Sequence, residues 1–149
     1  MQLVKVNDKF YNDCVAHNTD SEIMFNEKGR PCVLLIQMKY KEKLQKFVVP
    51  LRSNISGKTP DWQYCKIPPN RTTKPGNKAG VHYIKLFPIT DTYIEKFNVG
   101  QDQHMVLVKG ILDKKEQEIV KACKDYLAQV EKGNKHSMTP DIDGILSWL

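Results

Sequence analysis

A chain of 149 residues with 40% apolar and 27% charged side chains is the size of one domain with its own hydrophobic core, and is too apolar for a disordered tail. No stretch approaches the roughly 18 consecutive apolar residues of a membrane span. The opening Met1-Gln2-Leu3-Val4-Lys5-Val6-Asn7-Asp8 turns polar before any apolar signal segment is built, so a cytoplasmic, single-domain protein over 1–149 is expected.

In chain order, residues 3–6 alternate and read as a short strand, and Asn7 or Asp8 is placed to cap a helix running to about His17. Residues 18–30 look irregular and end in the turn signal Gly29-Arg30-Pro31. Residues 32–38 form an apolar, β-branched run, the signature of a strand buried on both faces. Lys41-Glu42-Lys43 is a polar turn, and residues 45–50 return as the second arm of a hairpin. From Pro50 to Gly80 the chain holds five of its eight prolines and three of its eight glycines, so 51–80 reads as a long loop with a short strand near 62–67. Residues 81–89 alternate as a strand, Thr90 or Asp91 caps a helical turn near 93–97, and 104–110 reads as a further strand. Residues 113–132 have helical periodicity, with Ile119, Val120, Cys123, Leu127 and Val130 on one face and Gly133 as its stop. Lys114/Glu118 and Lys121/Asp125 are spaced as ion pairs on its wet face. Thr139-Pro140 is expected to open a last short helix docked by Ile142, Ile145, Leu146 and Trp148. The sum is an α+β fold: a small antiparallel sheet, curled into a barrel, with helices outside.

The net charge of +6 is concentrated: residues 50–80 carry Arg52, Lys58, Lys66, Arg71, Lys74 and Lys78 against the single acid Asp61. A basic, loop-rich segment is the footprint of a polyanionic partner, or else a solvated loop that binds nothing specific. Cys14, Cys32, Cys65 and Cys123 form no Cys-x-x-Cys pair and read as reduced, mostly buried thiols. The histidines and acids show no zinc spacing and no carboxylate cluster for metal ions, so no metal or other cofactor is expected.

Arg52, Ser53 and Asn54 leave the end of a buried strand together. A guanidinium grips phosphate through paired donors, and the serine hydroxyl adds another; the alternative is an ordinary Ser-Asn turn. Residues 70–80, Asn-Arg-Thr-Thr-Lys-Pro-Gly-Asn-Lys-Ala-Gly, lack a Walker motif and suit phosphate-backbone contacts through Arg71, Lys74 and Lys78. Trp62, Tyr64 and Tyr83, interleaved with these charges, are candidates for stacking unpaired bases or, alternatively, core aromatics. His82 is either a general acid or base beside Arg52 and Ser53 or a satisfied structural histidine.

At Pro50-Leu51-Arg52-Ser53 the chain resembles the type III toxin ribonucleases, the ToxN, AbiQ, CptN and TenpN group. The landmarks are Lys9-Phe10-Tyr11 in the first helix, Gly29-Arg30-Pro31 before the apolar strand, a hairpin ending in Pro-Leu-x-Ser, the basic loop, and Leu86-Phe87-Pro88-Ile89 leading into a helical turn. The match runs over about residues 1–97, and the Arg-Ser-Asn version is most similar to the CptN and TenpN branches. The resemblance implies an SH3-like barrel similar to Kid and MazF with a long C-terminal helix. It implies a metal-independent endoribonuclease toxin of a phage-defence system. Its partners would be substrate mRNA and a structured antitoxin RNA, held in a protein–RNA hetero-oligomer. Ser53 matches the active-site serine, but the lysine that the ToxN-like pattern carries two residues later is Ile55 here. The reaction expected is attack of the RNA 2′-hydroxyl on the adjacent phosphate. Arg52 and Ser53 would hold the phosphoryl oxygens, His82 or Tyr11 would move protons, and Arg30 and Lys58 would add charge. The rivals are a non-catalytic RNA-binding module and a protein-binding inhibitor.

Overall fold

The computed structural model describes residues 1–24 and 33–149; Arg30 and Cys32, with the turn signal beside them, lie outside. β1 (Gln2–Val6) leads into α1 (Asp8–Ala16), whose cap is Asn7: its side chain accepts the Phe10 N–H at 3.1 Å. β2 (Val33–Tyr40) and β3 (Lys43–Ile55) form the long hairpin. Its turn residues Lys41 and Glu42 both take left-handed backbones (φ 48° and 66°), the geometry that matches strand twist but ordinarily selects glycine or asparagine. The turn is braced from outside, because the Lys41 N–H donates to Glu131 Oε1 at 2.6 Å.

β4 (Tyr64–Ile67), β5 (Lys78–His82), β6 (Phe87–Ile89) and β7 (Ile94–Lys96) complete the sheet. The order is β4-β5-β3-β2-β1-β7, with β6 paired to β3 off that path, and every pairing is antiparallel. The α+β class therefore holds, but the sheet is open rather than closed, where a closed SH3-like barrel was expected. β3 divides its edge between β5 at one end and β6 at the other, and the terminal strands β4 and β7 do not pair.

Strand alternation splits the apolar residues between two cores. Leu3, Leu34, Ile36, Phe47, Val49 and Val81 face one, beneath α2 (Gln103–Lys114) and α3 (Glu116–Glu131). Val4, Val6, Val33, Val48, Phe87 and Ile89 face the other, beneath Phe10, Tyr11 and Cys14 of α1 and Ile145 of α4 (Ile142–Trp148). Both faces of β2 are covered, which is why its sequence is apolar without a clean alternation.

Several boundaries differ from the sequence reading. Residues 104–110 are helix, not strand: Asp102 accepts the Met105 N–H, and Val108 and Leu112 are buried four residues apart while Val106 and Leu107 are exposed. The helix expected over 113–132 is two helices, broken at Lys115, and the longer one ends at Gly133 (φ 88°) as anticipated. It is followed by another helix, so the long helix is not the C-terminal one. α4 is capped by Asp141, whose carboxylate accepts the Gly144 N–H, and not by Thr139. The strand expected over 81–89 is interrupted by a 3-10 turn at Tyr83–Lys85, and β3 runs five residues past Pro50 into the presumed loop. The Lys121–Asp125 pair forms at 2.6 Å. Cys14, Cys65 and Cys123 are free, buried thiols, with burial raising Cys14 to about 11 and Cys123 to about 12. Among the described residues no helix is long and apolar enough to cross a membrane.

Candidate functional site

The register of β4, β5 and β3 sorts their side chains by chemistry. Cys65, Ile67, Ala79, Val81 and Leu51 face the core. Their alternates, Tyr64 and Lys66 on β4, Gly80 and His82 on β5 and Arg52 on β3, share the opposite face. Tyr64 lies directly over Gly80: a Cβ there would stand 2.9 Å from the Tyr64 ring and 2.6 Å from the Cys65 carbonyl oxygen, so only glycine permits this strand spacing. Further along β3 the same face carries Val48 against Tyr11 and Ile23, which puts α1 and the segment after it on the site's side of the sheet.

Arg52 donates from a terminal guanidinium nitrogen to His82 Nδ1 at 3.0 Å. That fixes the tautomer: Nδ1 accepts, and Nε2–H points to Gln63 Oε1 at 3.4 Å. His82 is 2% exposed, and burial, reinforced by the charges of Arg52, Lys85 and His136, pushes its pKa down to about 3. The imidazole is thus neutral and engaged at both nitrogens. As it stands it orients Arg52, and it has no lone pair left over for a substrate proton.

Between Arg52 (opposite Gly80) and Ile55 (opposite Lys78), β3 carries one more residue than β5. This bulge re-aims Ser53 and Asn54. Ser53 Oγ accepts from Asn70 Nδ2 at 2.8 Å, and Asn54 clasps the basic loop, donating to the Thr72 carbonyl at 2.9 Å and accepting the Lys74 N–H at 2.7 Å. Asn70 Oδ1 accepts the Thr72 N–H at 2.9 Å, an Asx turn that shapes the loop tip. Gly57 seats the following turn, since a Cβ there would come within 2.2 Å of the Gly76 carbonyl oxygen.

Of the anticipated site residues, Arg52, Ser53 and His82 come together. Arg71 and Lys74 are exposed on the loop clasped by Asn54, and Lys78 is half-buried beside it. Lys58 is exposed on the turn after β3, with its own N–H bonded to Ser56 Oγ at 3.3 Å. Trp62 is 56% exposed, with its ring 6.1 Å from that of Tyr126. Tyr83 is 3% exposed within the core, its phenol pKa pushed up by burial, so it offers no face to a base; this reverses the stacking expectation. Tyr11 is 8% exposed, edge-on to Phe10. The sequence reading missed Gln63, Asn70, Lys85, Glu22 and His136. Lys85, 5% exposed, donates to Glu22 Oε2 at 2.7 Å and to the Glu22 carbonyl at 3.2 Å. A lysine inside the apolar run 81–89 was the signal available for it. His136 Nδ1 accepts the Met138 N–H at 3.0 Å. Among the described residues no group of three or more His, Cys, Asp or Glu is arranged to hold a metal ion.

These features define a small α+β protein with a basic sheet face on which a neutral histidine orients an arginine beside a serine at a strand bulge. No family model matches the sequence, and no curated protein matches it significantly. Among solved structures, one of a bacterial antiviral system regulated by a processed non-coding RNA contains a chain of similar fold. The TM-score is 0.74 at 13% identity, over 99% of this chain and 96% of that one. A second, concerning bacterial type III toxin–antitoxin systems and selective toxin inhibition by a non-coding RNA pseudoknot, gives a TM-score of 0.77 at 11% identity, over 99% and 94%. At these identities the likeness establishes the fold.

Proposed function

We propose that this chain is the toxin of a type III toxin–antitoxin system: a cytoplasmic, metal-independent endoribonuclease that cuts mRNA and is inhibited by a structured antitoxin RNA in a protein–RNA hetero-oligomer. The observation that carries this reading is Arg52 held by neutral His82 next to Ser53, at the end of a basic face of a fold shared over nearly its full length with chains from RNA-regulated toxin–antitoxin and antiviral systems. The finer assignment, to the CptN or TenpN branch, rests on the Arg52-Ser53-Asn54 sequence.

In the proposed reaction a backbone phosphate draws the Arg52 guanidinium onto two of its oxygens, and Ser53 Oγ donates to the same group. Leaving His82, Arg52 uncovers the Nδ1 lone pair beside the phosphate. That nitrogen takes the 2′-hydroxyl proton as the oxygen attacks phosphorus in line. The P–O5′ bond breaks, the 5′-oxygen takes its proton from the Tyr11 hydroxyl or from the imidazolium just formed, and the ends are a 2′,3′-cyclic phosphate and a 5′-hydroxyl. Arg71, Lys74 and Lys78 contact flanking phosphates, Lys58 adds charge, and Trp62 and Tyr64 stack unpaired bases.

The test is digestion of single-stranded RNA in EDTA by RNA-free protein, with end-group mapping. The expected result is cyclic-phosphate ends at defined sites, no cutting of DNA, and loss of cutting by about 100-fold or more in Arg52→Ala and Ser53→Ala. Folded protein that shifts RNA on a gel without new ends would replace this reading with a non-catalytic RNA-binding module.

A further inference from the structure

Lys85 is an unusual place for a charge. Its ammonium group sits on a 3-10 turn between two strands, its side chain is 6% exposed, and among the described residues both of its acceptors belong to one residue, Glu22. Glu22 presents carbonyl and carboxylate together, with a left-handed backbone, φ 63°, at the third position of a turn closed by the Ile23 N–H on the Asp20 carbonyl at 3.1 Å.

The segment around Glu22 does not need this tether for its own placement. The Thr19 N–H donates to the Cys14 carbonyl at 2.8 Å, Thr19 Oγ1 accepts from Trp148 Nε1 at 3.0 Å, and Ile23 is buried against α1. Unlike its partner, the Glu22 side chain is 39% exposed, so the pair opens to solvent on the acid's side.

The surroundings are those of an anion site. The charges of Lys85, Arg52 and His136 all act on Glu22, and the same three groups act on His82. A carboxylate held by an ammonium within the field of a guanidinium has the shape and charge that a phosphoryl group would present.

We propose that Lys85, three residues on from His82, forms a second phosphate subsite of the nucleic-acid face, and that Glu22 is its built-in occupant, swung out when an RNA phosphate arrives. This deepens the RNA-cleaving reading and names one contact of its substrate. Glu22 would make the free protein discriminate against isolated phosphate, because a ligand must displace a charge-assisted bond before it binds, and only a polyanion with several contacts does so readily.

The test is calorimetric titration of the folded protein with inorganic phosphate, beside RNA cleavage measured separately. In Glu22→Gln the competing charge is gone, and phosphate affinity is expected to rise about tenfold, a factor typical of one charge-assisted bond. Adding Lys85→Met to Glu22→Gln is expected to abolish that gain, and circular dichroism and a thermal melt establish that each variant is folded. If the double variant does not fold, Lys85→Gln in the same background takes its place. Phosphate affinity unchanged in Glu22→Gln, or a gain that survives loss of the ammonium, overturns the subsite. Tightened phosphate binding with RNA left intact keeps the subsite and removes the nuclease reading. RNA cut at defined sites, with phosphate affinity unmoved by Glu22→Gln, does the reverse.

Discussion

His82 gives the sharpest quantitative expectation. Its folded-state pKa is pushed down to about 3, against 6.5 for an ordinary histidine, because it is buried and faces Arg52, Lys85 and His136. The unfolded chain therefore binds a proton that the folded one refuses throughout the interval between those values, so stability is full above pH 6.5 and falls as the pH is lowered. For one such group, the loss between pH 6 and pH 5 comes to about 1.2 kcal/mol, an eightfold change in the folding constant, taking the pKa values just given. The carboxylates held below their usual range, Asp13, Glu22, Asp113 and Asp143, contribute stability that is lost only at more acidic pH, which leaves this window clear of them. Urea unfolding of the wild type and of His82→Gln at pH 5, 6 and 7 is the assay. Glutamine keeps an acceptor for Arg52 and removes the titrating group, so the variant's stability should be flatter between pH 6 and pH 5 by about 1.2 kcal/mol. Equal slopes in the two proteins would refute the buried neutral imidazole and, with it, the geometry assigned to Arg52.

Three further outcomes follow from the same structure. Gly80→Ala places a methyl 2.6 Å from the Cys65 carbonyl oxygen and should push β4 from β5, costing about 1–3 kcal/mol in a denaturant melt and loosening the Arg52 face. Arg71→Glu and Lys74→Glu, both on the exposed loop, should weaken RNA binding and flatten its salt dependence while leaving the melting temperature within a degree or two. Gly133→Ala should destabilise α3 by about 1 kcal/mol, since the residue stands at φ 88° where the helix stops.

Where local chemistry decides structure, the sequence was readable. Asn7 caps α1, the β2–β3 hairpin follows its apolar arms, and Gly133 ends α3. Residues 104–110 were misread because Val106, Leu107 and Val108 look like a strand, while what decides the matter is the Asp102 cap and the docking of Val108 and Leu112. The barrel expectation came from resemblance, and strand closure is set by which edges pair, which no local pattern records. In the site, Arg52 and Ser53 were legible as a guanidinium and a hydroxyl directly after the apolar run 45–50, although both lie within β3. Their partners were not: through register and a bulge His82 reaches Arg52 across 30 residues and Asn70 reaches Ser53 across 17, Gln63 reaches His82 across 19, and Glu22 meets Lys85 from 63 residues away.

The departure at position 55 tests how far the resemblance can be pressed. The ToxN-like pattern places a lysine there, but Ile55 is fully buried, so an ammonium at this position would have to be desolvated. Directly opposite it in the register stands Lys78, which shares a sheet face with Gly80 and His82. Cross-strand partners lie about 5 Å apart at Cβ, so Lys78 can deliver a cation to the region the pattern's lysine would serve. Lys58, by contrast, is exposed on the turn beyond the strand end. Lys78→Ala is therefore expected to lower RNA cleavage by about tenfold or more, and Lys58→Ala by about threefold or less, with both proteins folded. Rates at saturating RNA separate this from simple affinity, because a cation acting on the reacting phosphate changes kcat and one steering the backbone changes KM. A larger kcat defect in Lys58→Ala than in Lys78→Ala would show that the cation is supplied by the turn after all, and that the cross-strand substitution is wrong.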